Sequence, residues 1–203
     1  MVTTIGINQR IPIETIEQAI KAVLDNRYDD DYGIELARME YNGENRIKKA
    51  MRIINRIVKT NVLMPYLIEN ASKVRMALKN DDDRGMICIA LVNTAYPFCY
   101  DVTAVLGRYF HAQKEIGTQL ITSKLSAKYG TNRSLPNGLY CILPMLIEAG
   151  FITRPRAGVY QINHIVPQTD IAKAFYQKSF LANNPMLNED YHFSNHFYFE
   201  FVG

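Results

Sequence analysis

Lysine and arginine recur along one face of segment 45–61, in a spacing that suits contact with a polyanion. The segment has six basic residues and no acid, and four of them fall at positions i, i+3, i+7 and i+10: Lys49, Arg52, Arg56 and Lys59. Apolar residues occupy the opposite face, which predicts an amphipathic helix packed on a core. Like charges at these spacings repel, and phosphates would relieve that repulsion. The alternative is a solvated basic face with distant acidic partners.

A second group of basic residues lies between residues 118 and 166, where five lysines and arginines face one glutamate. The local net charge of +4 (5 − 1) exceeds the +3 of the whole chain. The candidate phosphate contacts are Lys128, Arg133, Arg154 and Arg156. Asn132 and Asn137 are candidates for reaching base edges, because an asparagine amide can pair bidentately with adenine. Charge clustering, not total charge, therefore indicates nucleic-acid contact.

Two helices joined by a short turn are predicted to carry most of this second group. The first ends at Tyr129, and Gly130 follows as a residue that stops a helix at low cost. The second begins after Ser134, which suits an N-cap position, and ends before Gly150. Together they have the pattern of a helix-turn-helix.

A two-stranded hairpin is predicted directly after these helices. Its strands are expected at 151–152 and 159–162, with the tip at 154–158. Pro144 interrupts the second helix, so we expect a kink near residues 140–144 or a helix in two pieces. A helix-turn-helix followed by a hairpin is a winged helix, an arrangement typical of nucleic-acid-binding proteins. It also serves for packing or for protein contacts, which is the alternative here.

The N-terminal half is predicted to be helical throughout. Helices at 12–26 and 32–41 precede the basic helix in 45–61, and the three could form a second unit of the helix-turn-helix type whose third helix meets nucleic acid. The apolar residues of 66–79 keep the helical period and predict a single further helix.

Two apolar helices, one running from about residue 81 and one at 98–111, are expected to form a central scaffold. We therefore predict an N-terminal helical HTH-like subdomain over 1–80, and a second subdomain over 81–203 with the scaffold, the winged helix and a C-terminal helix and strand. The predicted fold class is mainly α, a helical bundle whose winged helix carries a small β-hairpin or a three-stranded wing sheet.

The C-terminal region predicts a helix from Asp170 to about Ala182, capped by Thr169. The tail at 191–201 has phenylalanine at alternate positions near its end, Phe197, Phe199 and Phe201, which predicts a terminal strand. That strand would pair with the hairpin, or its exposed edge would pair with another subunit.

Composition places the chain among ordinary globular proteins, since 48% of its 203 residues are hydrophobic and 21% are charged. The odd number of cysteines, all in apolar helical contexts, predicts reduced, buried thiols in a cytoplasmic protein: Cys88, Cys99 and Cys141. The N-terminal residues lack the apolar stretch of a signal peptide. No uninterrupted run of 18 apolar residues occurs, so we expect no membrane span and no membrane partner.

No pattern in the chain indicates catalysis. There is no glycine-rich phosphate loop, no G-x-S-x-G motif and no cysteine pair, and the four histidines are scattered. The acidic triplets 29–31 and 81–83 are explained as helix starts. His192 and His196 have no cysteine or carboxylate cluster nearby. We therefore predict a non-enzymatic protein without a metal or cofactor.

The middle of the chain resembles the BrxA family, small helical components of the BREX phage-defence systems. The resemblance covers roughly residues 10–165. It is carried by the apolar helix DDDRGMICIALVNTAYPFCYDV, the helix LITSKLSAKYG, the helix end MLIEAGFIT and the basic helix NRIKKAMRIINRI. It implies a helical protein with winged-helix-like subdomains that binds double-stranded DNA without catalysing a reaction. The tail after His164 lies outside it.

The predicted function is that of a double-stranded DNA-binding accessory protein of a bacterial antiviral defence system, acting mainly through phosphate contacts. Other phage-defence proteins are expected as further partners. The alternative is an adaptor, in which the winged helix docks a protein partner or the helical core binds RNA. A conventional transcription repressor is a weaker third candidate, because the sequence shows neither a ligand pocket nor a clear dimerisation helix.

Overall fold

The computed structural model describes residues 4–130 and 132–203 and has a mainly helical fold with one small antiparallel sheet. Ten α-helices lie in these two ranges: α1 (Ile13–Leu24), α2 (Asp30–Glu40), α3 (Glu44–Val58), α4 (Met64–Glu69), α5 (Ala71–Ala77), α6 (Asp81–Ala95), α7 (Pro97–Phe110), α8 (Thr118–Tyr129), α9 (Leu135–Glu148) and α10 (Asp170–Asn183). The strands are β1 (Glu115–Gly117), β2 (Ile152–Arg156) and β3 (Val159–Ile162).

The first three helices pack on one another and present α3 at the surface. The Asp29 side chain accepts a hydrogen bond from Tyr32 N at 2.8 Å and so caps α2, as its acidic start predicts. Residues 41–43 form the short connection to α3. The inner face of α3 is apolar and buried: Ile47, Ala50, Ile53, Ile54, Ile57 and Val58. The predicted amphipathic helix is confirmed.

The single helix predicted for 66–79 is wrong, because the structure has the two short helices α4 and α5 there. The chain leaves helical geometry at Asn70, where φ is −103° and ψ is 24°. The Asn70 side chain donates to Tyr66 O at 2.9 Å. A side-chain amide that bonds to the local backbone competes with helix propagation, which explains the break.

Helix α6 occupies the centre of the molecule, and eleven of its fifteen residues are buried. Asn80 caps it by accepting a hydrogen bond from Asp83 N at 3.0 Å, at the helix start that the acidic triplet 81–83 predicts. Buried Asp83 in turn accepts from Gln168 N at 2.8 Å and thereby fixes the loop before α10. One continuous apolar cluster contains residues from both sides of position 80. The division into two subdomains at that position stays a prediction.

The sheet has the order β1-β3-β2, with antiparallel pairing throughout. Its third strand is β1, which precedes α8 and which no sequence pattern indicated. Helix α9 continues through Pro144 as one element, so the prediction of two pieces is wrong. Pro144 and Tyr140 lie on the outer side of α9, where water can replace the missing backbone donor.

The hairpin tip lies at residues 157–158, so the predicted tip at 154–158 is wrong. Arg154 and Arg156 belong to strand β2. The strand accommodates Pro155 because β2 is the edge strand and its pairing register shifts between Thr153 and Arg156. Edge strands and bulges are where a residue without an N–H does least harm to a sheet.

The tail after α10 forms two short 3-10 turns, 193–195 and 197–199. The predicted terminal strand over 191–201 and its pairing with the hairpin are therefore wrong. Tyr198 and Phe201 are fully buried. Buried side chains three residues apart fit the 3-10 helix, which has three residues per turn.

A buried polar network holds the tail in the core. The Tyr198 hydroxyl accepts from Asn93 Nδ2 at 2.9 Å and lies 2.7 Å from Ser179 Oγ. The Tyr198 ring stacks on Tyr176 with a centroid distance of 4.3 Å, and the Tyr176 hydroxyl donates to Tyr198 O at 2.8 Å. These contacts join the tail to α6 and α10.

The tail also crosses α7 at Gly107, where a Cβ would lie 1.9 Å from Phe197 O. We expect Gly107→Ala to displace the tail and to lower the free energy of unfolding by about 1–3 kcal/mol. Helix propensity alone predicts the opposite sign, a gain of about 1 kcal/mol. Urea unfolding checks the sign, and hydrogen exchange in 190–203 checks the location. A more stable variant with unchanged exchange would contradict this crossing.

Among the residues that the structure describes, no helix is long and apolar enough to cross a membrane. All three cysteines are buried and free, as the sequence predicts.

Candidate nucleic-acid interface

The outer face of α3 carries the strongest exposed concentration of positive charge in the predicted sites. Lys48, Lys49 and Arg52 are exposed, and none of them makes an ion pair with a residue in 4–130 or 132–203. They are held outward because the isoleucines of the opposite face are buried. Their mutual repulsion is therefore not relieved by acids of the described chain. Phosphate oxygens are suited to this face.

The C-terminal end of the same stripe is partly neutralised. Lys59 Nζ lies 2.8 Å from Asp30 Oδ1, and this ammonium holds the pKa of Asp30 below its usual value. The Arg56 guanidinium lies over the Tyr96 ring, 4.6 Å from its centroid. Burial raises the pKa of the Tyr96 hydroxyl, so the ring beneath Arg56 stays neutral. The predicted four-residue stripe thus divides into two unpaired cations, Lys49 and Arg52, and two that already have a contact.

The predicted cations of residues 118–166 likewise include two that pair with acids of the described chain and two that do not. Lys128 Nζ lies 2.6 Å from Asp101 Oδ2, and Arg156 Nη2 lies 2.7 Å from Glu115 Oε2. Both acids precede residue 118, so the charge count over 118–166 did not include them. Arg133 and Arg154 are exposed and form no ion pair within the described ranges.

The two asparagines proposed to reach base edges already make hydrogen bonds to the backbone. Asn132 Oδ1 accepts from Ser134 N at 3.0 Å, and Asn137 Nδ2 donates to Asn8 O at 3.2 Å. Ser134 stands at the N-cap of α9, but its side chain makes no capping hydrogen bond. The turn before α9 is stabilised instead by the bond from Ser134 N to the Asn132 side chain. Each amide would have to share or release its bond to pair bidentately with adenine.

The N-terminal segment 5–9 also lies at the site, although it is not among the residues predicted from the sequence. Ile5 and Ile7 are buried, whereas Gly6 and Asn8 between and after them are exposed. Gln9 Nε2 donates to Arg46 O at 3.1 Å, which places the segment against α3. The period-two alternation of Ile5 and Ile7 was the available signal for an extended chain with one buried side.

The outer face of α9 carries no cation. Tyr140 is 76% exposed and lies between Pro136 and Pro144 at one side of a groove of about 250 Å³. The groove is lined by residues of α8, α9 and the hairpin, and Arg154 is its one charged residue: Thr118, Thr122, Pro136, Leu139, Tyr140, Leu143, Pro144, Arg154 and Tyr160. The outer face of α9 is thus aromatic and mostly apolar, whereas the outer face of α3 is basic.

A polar cleft of about 680 Å³ lies beyond the start of α1 and contains acids together with arginines: Arg10, Glu14, Glu17, Glu40, Arg84 and Glu148. Arg10 pairs with Glu148, and Arg84 Nε lies 3.5 Å from Glu17 Oε2. Across the described ranges, no group of three or more histidine, cysteine, aspartate or glutamate side chains is placed to hold a metal ion.

Comparison of the chain with protein-family models, with curated proteins and with solved structures found no match. The function is therefore inferred from the residues of this chain.

Proposed function

We propose that this protein binds double-stranded DNA without catalysing a reaction, and that the outer face of α3 makes the principal contact. The observation that carries the proposal is the exposed cluster of Lys48, Lys49 and Arg52, which has no acidic partner in the described ranges. Cations that neutralise phosphates release condensed counterions, which supplies most of the affinity of sequence-independent binding.

The helix arrangement supports the proposal in two places. Helices α2 and α3 are joined by the three-residue connection 41–43, as in a helix-turn-helix, where the second helix meets the DNA. The elements from α7 to β3 follow the order helix, strand, helix, helix, hairpin, which is the order of a winged helix. Both are arrangements in which a surface helix contacts a nucleic acid.

The biological setting that we propose is a bacterial BREX-like phage-defence system. The resemblance of residues 10–165 to the BrxA family supports it. In that setting the protein is a cytoplasmic, DNA-binding accessory, and its partners besides DNA include other defence proteins.

Fluorescence anisotropy of a labelled 16-base-pair duplex, titrated at several salt concentrations, tests DNA binding. Three phosphate contacts, by Lys48, Lys49 and Arg52, predict a log–log salt slope of about −2.7, since each contact contributes about −0.9. An RNA duplex of the same sequence, used as competitor, tells DNA from RNA. Folded protein that fails to bind the DNA duplex at low salt would overturn the proposal.

The adaptor function has one observation in its favour, the exposed Tyr140 beside a mostly apolar groove on α9 whose one charged lining residue is Arg154. Aromatic residues at the edge of an apolar groove are typical of protein interfaces. Protein docking through this groove would change little with salt, because few charges would be neutralised. Failure of the folded protein to bind the duplex at any salt concentration would favour the adaptor.

A further inference from the structure

The extended segment 5–9 contacts both of the regions proposed to bind nucleic acid. On one side, Gln9 Nε2 donates to Arg46 O of α3 at 3.1 Å. On the other side, Asn8 O accepts from Asn137 Nδ2 of α9 at 3.2 Å. The same segment packs against Gly138, where a Cβ would lie 2.6 Å from Ile5 Cγ2.

The segment runs along α3 in the direction opposite to the helix. A Cβ built on Gly6 would lie 3.9 Å from Arg56 Nη1 near the end of α3, whereas Gln9 contacts Arg46 near its start. One extended chain therefore separates the flank of α3 from the first turn of α9. Two helix radii of about 5 Å and one extended chain of about 5 Å place the helix axes roughly 15 Å apart.

The segments that lie beside α3 at this junction lack acidic residues, whereas α3 itself begins with Glu44. Segments 4–13 and 130–140 contain none, and Arg133 is exposed one turn before Asn137. Gly6 is exposed and has a φ of +74°, and a Cβ built on it would lie 3.3 Å from the Tyr96 ring, so glycine lets the segment pack closely against this ring. The one acidic residue of α9 is Glu148 at the opposite end of the helix, where it pairs with Arg10.

We infer that α3, segment 5–9 and the start of α9 form one continuous surface that contacts a single DNA duplex. The inference rests on the proposed function and adds to it that Arg133 acts together with Lys49 and Arg52. The axes of α3 and α9, roughly 15 Å apart, have a separation comparable with the width of the B-DNA major groove, about 12 Å. On the proposed surface, the cations of α3 contact one of the phosphate strands that border this groove, and Arg133 contacts the other.

Three variants test this surface with the same labelled duplex: Arg52→Gln, Arg133→Gln and the double variant. Each single variant is expected to weaken binding about fivefold and to reduce the salt slope by about 0.9, because one phosphate contact is lost. In the double variant, the factor by which binding weakens is expected to equal the product of the two single factors. The stoichiometry is expected to stay at one protein to one duplex. Lys173→Gln on α10 removes one exposed charge elsewhere and serves as the matched control.

Hydrogen exchange with and without the duplex gives a second readout on the wild-type chain. Protection of both 44–56 and 132–140 supports the continuous surface. Protection of 44–56 alone, or wild-type affinity and slope in Arg133→Gln, overturns the inference and leaves the α3 contact in place. Two duplexes bound per protein also overturn it. Absence of any binding by the wild type overturns the inference and the proposed function together.

Discussion

Tyr198→Ala is expected to lower the free energy of unfolding by about 3–5 kcal/mol, the range for removal of a large buried aromatic side chain. The side chain is fully buried, stacks on Tyr176 and fills the interior next to α6. Its loss would also leave Asn93 Nδ2 and Ser179 Oγ with fewer hydrogen-bond partners in the core. For a chain of this length the melting temperature should fall by roughly 10 °C.

Tyr140→Ala is the matched control, because Tyr140 is 76% exposed and its removal should change stability by no more than about 0.5 kcal/mol. Tyr198→Phe separates packing from hydrogen bonding, since it keeps the ring and removes the hydroxyl. Differential scanning fluorimetry and urea unfolding measure all three variants. Equal stability of the two alanine variants would show that the tail does not complete the core.

Lys49→Glu/Arg52→Glu is expected to weaken binding to duplex DNA about 100-fold, equivalent to about 2.8 kcal/mol. Two phosphate contacts are lost and two repulsive charges are added on the same face. Neither residue has an ion-pair partner in the described ranges, so the folded structure should tolerate both changes. Anisotropy titration at fixed salt measures the affinity, and circular dichroism verifies the fold.

The matched variant is Arg154→Glu/Arg156→Glu, which reverses the same number of charges in β2. Its effect on affinity should be severalfold smaller, because Arg156 is already paired with Glu115. A large loss in the β2 variant together with normal binding by the α3 variant would place the principal contact on the hairpin.

The helices were predictable where one local pattern decided the structure. The apolar face of α3, the Asn80 and Thr169 caps and the stop at Gly130 all depend on residues within a few positions of one another. The tail was not predictable in this way. Counting only its phenylalanines suggested a period of two, whereas buried Tyr198 and Phe201 follow the period of a 3-10 turn.

The sequence identified the basic residues of the candidate site. It did not show which of them pair with an acid in the folded chain. Lys59, Lys128 and Arg156 meet acids that are 29, 27 and 41 positions away in the sequence. A charge count within a window cannot include such partners. Segment 5–9 was missed for the same reason, since its contact with Asn137 spans 129 positions.

The contact between Asn93 and Tyr198 spans 105 residues and has a consequence for synthesis on the ribosome. At about 5–20 residues per second, the strongly apolar α6 leaves the ribosome roughly 5–20 s before the tyrosine that its asparagine contacts. During that interval the helix lacks part of its native cover and is open to association with other nascent chains. We therefore expect the yield of native protein to depend on chaperones that shield α6 until translation reaches the tail.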